Sequence, residues 1–256
     1  MREDLKKLHG VALVTGSAKR IGRAIALELA NCGLGVVAHY HRSGEETLTL
    51  INDIEKLGGK GACLRADLSI EKEVVNLVER AAEKFGPITC LINNASVFEE
   101  DTPMTQSSAI WDNHMQTNLR APFLLSQQFA KQIPSNAKGN IINIIDQRVW
   151  NLTPDFTSYT LSKFALWGMT QILARAFAPS LRVNAVGPGP TLKNIHQTNR
   201  DFKKEWQAVP LEAPVSLGDI CNAIRFILYS PSMTGQMVAL DGGQHMGWSP
   251  ERKSEF

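Results

Sequence analysis

The sequence predicts an α/β fold: a doubly wound, parallel, seven-stranded sheet with helices on both faces. Three observations lead there. Short apolar runs of strand length alternate with longer amphipathic runs along the chain. Seven strands separated by helix-length segments call for βαβ units, whose right-handed crossovers cover both faces of the sheet. The 256 residues, 43% hydrophobic and 20% charged, contain no linker-like stretch and no internal repeat, so a single domain spanning 1–256 is expected.

The elements follow in order. Residues 11–15 (Val-Ala-Leu-Val-Thr) make the first strand, and 21–32 continue as a helix. Residues 34–40 are the second strand, followed by a helix at 45–57 that ends at Gly58-Gly59. The third strand is 61–66, with a helix at 70–85 stopped by Gly86-Pro87. After the fourth strand, 88–93, one long helix is expected from 110 to 133, stopped by Pro134. Residues 140–145 are the fifth strand, 156–178 a helix and 181–186 the sixth strand. A helix at 217–229 and a strand at 237–240 finish the pattern. Residues 191–216 are polar and broken by Pro210 and Pro214. They are expected to form an irregular insertion, a candidate lid at a strand's carboxyl end.

Lys plus Arg number 27 and Asp plus Glu 25, a net charge of +2. That balance gives no general pull toward nucleic acid or an anionic membrane. No run approaches the 18 or so apolar residues of a membrane span, and no apolar stretch of signal length follows the charged start. Cys32, Cys63, Cys90 and Cys221 lack paired spacing and read as free thiols of a reducing, cytoplasmic compartment. The histidines show no metal-binding spacing, so no metal is expected.

Thr15-Gly16-Ser17-Ala18-Lys19-Arg20-Ile21-Gly22 joins the first strand to the first helix. Gly16 permits a tight turn, Gly22 permits close helix–strand approach, and the free N–H groups of the helix start favour a pyrophosphate. An ordinary strand–helix turn is the plainer reading, but the context favours a dinucleotide. The second strand ends His39-Tyr40-His41-Arg42-Ser43, without the carboxylate that would take both ribose hydroxyls of NAD. Arg42, His41 and Ser43, with Lys19 nearby, suit an adenosine 2′-phosphate instead, so NADP(H) is the expected cofactor.

Tyr159 and Lys163 lie four apart in a helix, hence on one face. A phenol with pKa near 10 is a poor proton donor–acceptor at neutral pH. A cation about 4 Å away, at an effective dielectric of about 20, interacts by about 4 kcal/mol, so Lys163 is expected to depress the Tyr159 pKa.

Together these features resemble the short-chain dehydrogenase/reductase family over essentially the whole chain. The motifs are T-G-x(5)-G at 15–22, Asp67 after the third strand, Asn93-Asn94-Ala95-Ser96 after the fourth, Asn118, Tyr159 with Lys163, and Pro188-Gly189 after the sixth. The resemblance implies a Rossmann-fold reductase, usually a homotetramer, with the tail 244–256 reaching toward a neighbouring subunit. It implies that Asp67 contacts adenine, that Asn94 and Ala95 line the cofactor, and that Lys163 holds the nicotinamide ribose. Asn118 would support a proton relay through water, and Thr191, just after Pro188-Gly189, would touch the nicotinamide carboxamide.

Two departures from the common pattern are informative. Arg20 replaces the middle glycine, and Asp146 replaces the serine thirteen residues before the tyrosine. An ionised aspartate accepts hydrogen bonds but cannot donate one to a carbonyl. Both departures resemble the pteridine reductase subgroup, with its T-G-x-A-K-R-x-G turn, H-Y-H-R-S segment and N-A-S followed by an aromatic. By that resemblance Phe98 and the nicotinamide sandwich a pterin ring, Ser96 and Arg20 help hold it, and Asp146 and Tyr159 face it. An NADPH-dependent pteridine reductase is therefore expected. The rivals are a carbonyl reductase of the same fold, acting on a 3-oxoacyl thioester, a sugar or a steroid, and a cofactor-binding homologue without turnover.

Overall fold

The strands, in chain order, are β1 (Val11–Val14), β2 (Gly35–Tyr40), β3 (Gly61–Arg65), β4 (Ile88–Asn93), β5 (Gly139–Ile144), β6 (Leu181–Pro188) and β7 (Met237–Leu240). They form one parallel sheet in the order β3-β2-β1-β4-β5-β6-β7. The helices are α1 (Arg20–Asn31), α2 (Gly44–Lys56), α3 (Glu71–Val75), α4 (Leu77–Phe85), α5 (Ser108–Met115), α6 (Ala121–Gln132), α7 (Thr157–Ala176), α8 (Asn199–Gln207) and α9 (Leu217–Tyr229). These come from a computed structural model, which describes residues 8–194 and 197–247. The strand order reverses between β1 and β4, and a crevice opens there at the carboxyl ends of the strands.

The side-chain pattern explains the layers. All four residues of β1 are buried. Val11 and Leu13 join a core with Leu77, Leu125, Phe129 and Leu166, on the face covered by α4, α6 and α7. Ala12 and Val14 join the opposite core with Ile25, Leu50, Ile54 and Ile224, under α1, α2 and α9. That is the two-residue alternation of a strand buried on both faces. In β4 the alternation slips: Ile88 and Leu91 face the first core, Cys90 and Ile92 the second. A register shift accounts for it, since Val11 pairs with Ile88 but Ala12 pairs with Cys90. Thr89 Oγ1 accepts from the Val11 N–H at 3.2 Å, satisfying a donor beside the irregularity.

Three predicted elements are corrected. The helix expected at 70–85 breaks at Asn76, which ends α3 and precedes α4. Asparagine competes locally for backbone hydrogen bonds and is a poor interior helix residue. The helix expected at 110–133 is α5, a π-helical turn at Gln116–Arg120, and α6. Pro122 has no N–H for the carbonyl of Asn118 four residues back, which favours a widened turn there. The segment 191–216, expected to be irregular, contains α8, closed at its start by a capping box of Thr198 and Asp201. Residues 195–196 of that segment, the start 1–7 and the tail 248–256 lie outside the described residues.

Candidate active site

The turn after β1 is held by Asn94, Ala95 and His39. Gly16 has φ +61°, and a Cβ there would lie 2.9 Å from Ala95 Cα. A Cβ on Gly22 would lie 2.3 Å from the Gly16 carbonyl oxygen and 2.5 Å from Asn94 Nδ2. Asn94 Nδ2 donates to the carbonyls of Thr15 and Gly16 at 2.9 and 3.0 Å. Thr15 Oγ1 accepts from the N–H groups of Asn94 and Ala95 at 2.9 and 3.0 Å. The first turn of α1 carries no acidic residue and its N-cap, Lys19, makes no side-chain capping bond, so its dipole and N–H groups suit an anion. Ile21 follows at the cleft wall.

His39 completes this turn, a role that reading the sequence did not give it. It is buried, its Nδ1 accepts from the Gly16 N–H at 3.1 Å, and its Nε2 lies 3.1 Å from the Ala66 carbonyl. The proton is thereby assigned to Nε2. Burial pushes its pKa down to about 4, so the ring is neutral at ordinary pH.

Beside the turn, a cavity of about 500 Å³ is lined by Lys19, His41, Arg42, Ser43 and Asp67. Lys19 pairs with Glu46 at 2.6 Å, and His41 Nε2 lies 3.3 Å from Asp67 Oδ2. Arg42 is exposed, and Ser43 precedes α2 without a side-chain capping bond.

A second, larger cleft of about 800 Å³ runs past the carboxyl ends of β5 and β6, where Pro188, Gly189 and Thr191 form one wall. Asp146 starts a short 3-10 turn, with Oδ1 accepting from the Arg148 N–H at 2.9 Å. The Tyr159 hydroxyl donates to Asp146 Oδ2 at 2.9 Å. Lys163 Nζ donates to the Ile144 carbonyl at 2.9 Å and lies 5.7 Å from the Tyr159 ring centre. Asp146, Tyr159 and Lys163 are thus together, but the charge balance differs from expectation. Burial first, and then the Asp146 carboxylate, raise the Tyr159 pKa well above 10. The expected depression by Lys163 is corrected: the atom on the phenol is a carboxylate oxygen, while the ammonium sits against a backbone carbonyl. Burial raises Asp146 too, opposed by the Arg148 N–H and nearby cations. Burial pushes Lys163 down to about 8, with Asp146 pulling the other way.

Asn118 sits in the π-helical turn. Its Oδ1 accepts from the Val97 N–H at 2.8 Å, and its Nδ2 donates to the Val97 carbonyl and Ser162 Oγ at 2.9 and 3.1 Å. Ser96 Oγ lies 3.2 Å from Asn118 Oδ1. Phe98 is in the cleft wall, but it stacks on Phe156 with centroids 4.3 Å apart and meets the Tyr159 ring edge-on. Arg20, expected to face phosphate and substrate, donates to the carbonyls of Lys193 and Leu192 at 2.8 and 3.0 Å. It ties the glycine turn to the start of the segment expected as a lid.

A family profile described as short chain dehydrogenase matches residues 10–204. The chain belongs to the short-chain dehydrogenase family. A "Short-chain type dehydrogenase/reductase" of Picea abies is 32% identical over 248 residues, covering 91% of this chain and 92% of the relative. A 3-oxoacyl-[acyl-carrier-protein] reductase of Staphylococcus epidermidis is 29% identical over 240 residues, covering 92% and 98%. Among solved structures, FolM alternative dihydrofolate reductase 1 from Brucella suis, in complex with NADP, superposes with a TM-score of 0.91 at 44% identity, covering 94% of this chain and 97% of that one.

Among the described residues no three His, Cys, Asp or Glu side chains cluster as a ligand set. All four cysteines are free thiols. No helix of the described residues is long and apolar enough to cross a membrane.

Proposed function

We propose that this chain is an NADP(H)-dependent oxidoreductase that reduces a pteridine, a dihydropterin or dihydrofolate-like compound, at a ring C=N bond. One observation carries the reading: the Tyr159 hydroxyl donates to Asp146 Oδ2 at 2.9 Å inside a cleft walled by Phe98 and Phe156. A carboxylate oxygen suits a substrate rich in N–H donors and ring nitrogens, and does not serve a ketone oxygen unless it holds a proton. The similarity to the Brucella suis FolM protein supports the same substrate class.

The residues fit the cofactor. Gly16 and Gly22 pack so closely on Ala95, Asn94 and the turn's own main chain that no Cβ fits, and this tight turn leaves the N–H groups at the start of α1 to face a pyrophosphate. Arg42, His41, Ser43 and Lys19 would hold the 2′-phosphate, with Lys19 exchanging its Glu46 partner for it. Asp67 would take the adenine, while Asn94 and Ala95 keep the neighbouring turn in place. NADPH supplies the hydride when bound. Lys163 orients the ribose, with Thr191, Pro188 and Gly189 at the carboxamide end of the pocket. Tyr159 gives the proton and Asp146 shares it, while Asn118 orders the water through which it is replaced. Arg20, Ser96 and Phe98 hold the heterocycle, and 191–216 closes over it.

The chain also reads as one domain that self-associates as a homotetramer. Leu161, Phe164 and Ile172 are 43%, 47% and 66% exposed on α7, an apolar face without cover in a lone chain. The free thiols fit a cytoplasmic setting.

Following NADPH absorbance with dihydrobiopterin, dihydrofolate, ketones and acyl thioesters tests the substrate. Turnover of the pteridines is expected. Turnover of carbonyl compounds alone supports the carbonyl reductase reading, toward which the Staphylococcus epidermidis relative points. NADPH binding with no turnover makes the chain a non-catalytic homologue.

A further inference from the structure

Gln147 follows Asp146, opens the short 3-10 turn, and lines the same cleft as Tyr159. It is only 5% exposed. Its backbone carbonyl accepts from the Trp150 N–H at 2.9 Å, so the main chain is engaged there. Its side-chain Oε1 is buried and has no hydrogen-bond partner among the described residues. Asn93 Oδ1, Asn140 Oδ1 and Thr160 Oγ1 share that condition, but only Gln147 of the four lines the cleft. Buried polar groups without partners cost stability and are uncommon, so an idle one in a binding cleft calls for an explanation.

We infer that Gln147 is a specificity-determining residue that turns its covered carboxamide into the cleft when substrate binds, its amide oxygen accepting an N–H from the polar edge of the substrate ring. This rests on the pteridine reading above. A carboxamide offers an acceptor and two donors, which suits a heterocycle that presents alternating N–H groups and acceptors. An acyl chain or a simple ketone has no N–H to give, and would leave Oε1 buried and unpaired. Asp146 keeps capacity for further donors, but its Oδ2 already takes Tyr159 and its Oδ1 Arg148, so Gln147 Oε1 adds a separate acceptor to the cleft.

Gln147→Met tests the assignment, since methionine has similar length and no amide. The KM for dihydrobiopterin should rise by roughly ten- to a hundredfold, the range expected when a buried hydrogen bond is lost. The kcat should stay within about threefold, and NADPH affinity should not change. Calorimetric binding of dihydrobiopterin to the NADP+ complex should weaken by the same factor as KM rises. The melting temperature should hold or rise, because an unpaired buried amide has been removed. An unchanged KM in an enzyme that reduces dihydrobiopterin overturns the Gln147 assignment and leaves the pteridine reading standing. A lower kcat at unchanged KM also overturns it, placing the effect on Asp146 rather than on the substrate. Failure of the wild type to reduce any pteridine removes both readings.

Discussion

Replacing Gly22 by alanine asks whether the glycine turn is held by space alone. The new Cβ would lie 2.3 Å from the Gly16 carbonyl oxygen, 2.9 Å from Ser17 Cα and 2.5 Å from Asn94 Nδ2. Two of these are main-chain atoms, so the clash cannot be relieved by a rotamer change. Overpacking of that kind costs about 1–3 kcal/mol. Displacing Asn94 would also break its two bonds to Thr15 and Gly16, at about 0.5–1.5 kcal/mol each. The sum is about 2–6 kcal/mol, a large share of a typical domain's stability of about 5–15 kcal/mol. At roughly 2–4 °C per kcal/mol for a chain of this size, the melting temperature should fall by about 10 °C, and NADPH affinity by at least about tenfold. Gly168→Ala is the matched control. In the middle of α7 its Cβ meets nothing of its own chain within 4 Å, so the dissociated variant, with Phe164 and Ile172 one turn either side on the face proposed to associate, should gain about 0.5–1 kcal/mol from helix propensity. Thermal melts and NADPH titrations of both variants decide the matter. A Gly22→Ala protein that melts and binds like the wild type would refute the packing argument.

Asp146→Asn should lower pteridine turnover by about a hundredfold. It should also move the basic limb of the pH–rate profile to lower pH. The carboxylate raises both Tyr159 and Lys163, so its loss lowers both, whichever sets the limb. A limb that stays in place removes the carboxylate from the proton pathway. Arg42→Asp should reverse the preference for NADPH over NADH, read as a change of at least about tenfold in the ratio of Michaelis constants; an unchanged ratio rules out the 2′-phosphate role. Ile172→Glu, at an exposed apolar site on α7, should shift the oligomer toward smaller species in sedimentation while leaving the far-ultraviolet spectrum intact. An unaltered sedimentation profile would mean that this face is not an interface.

The strands were legible because a parallel sheet buried on both faces must be apolar almost throughout. β4 and β7 fall at the residues expected, and β1, β2, β3 and β5 within a residue or so. The helical period likewise puts Tyr159 and Lys163 side by side. Other features were hidden for physical reasons. The capping box of α8 stands in the sequence as Thr198-Asn199-Arg200-Asp201, but that helix buries no residue, so no apolar stripe announces it. The register shift in β4 leaves composition unchanged and shows only in which side chains share a core. The direction of the Tyr159 shift depended on which neighbour reached the hydroxyl. Helical spacing supplies the lysine and the resemblance supplies Asp146, but neither says which of the two reaches the hydroxyl. Arg20 meets carbonyls more than 170 residues away, beyond any local pattern.

The helix that presents Tyr159 is itself positioned by the loop that walls the cleft. α7 begins after Phe156, which has φ +55° and offers no side-chain cap. Asp101, fully buried, supplies the missing acceptors: its carboxylate oxygens take the Ser158 N–H at 3.1 and 3.2 Å, and its carbonyl takes that of Thr157 at 3.3 Å. A carboxylate at that end of a helix also suits the helix dipole. Ser158 Oγ donates to Asp101 and lies 2.7 Å from His114 Nδ1, while His114 Nε2 accepts from the Glu99 N–H at 3.1 Å. The proton of His114 therefore sits on Nδ1, and burial lowers its pKa, which keeps the ring neutral. The same loop is fastened a second time where Asn118 bridges Val97 and Ser162. Between these two anchors lies Phe98, in contact with the Tyr159 ring. Substrate wall and proton donor are thus fixed to each other by one hydrogen-bonded frame. A change in the loop after β4 consequently alters the position of Tyr159 even where it touches neither the hydroxyl nor Asp146.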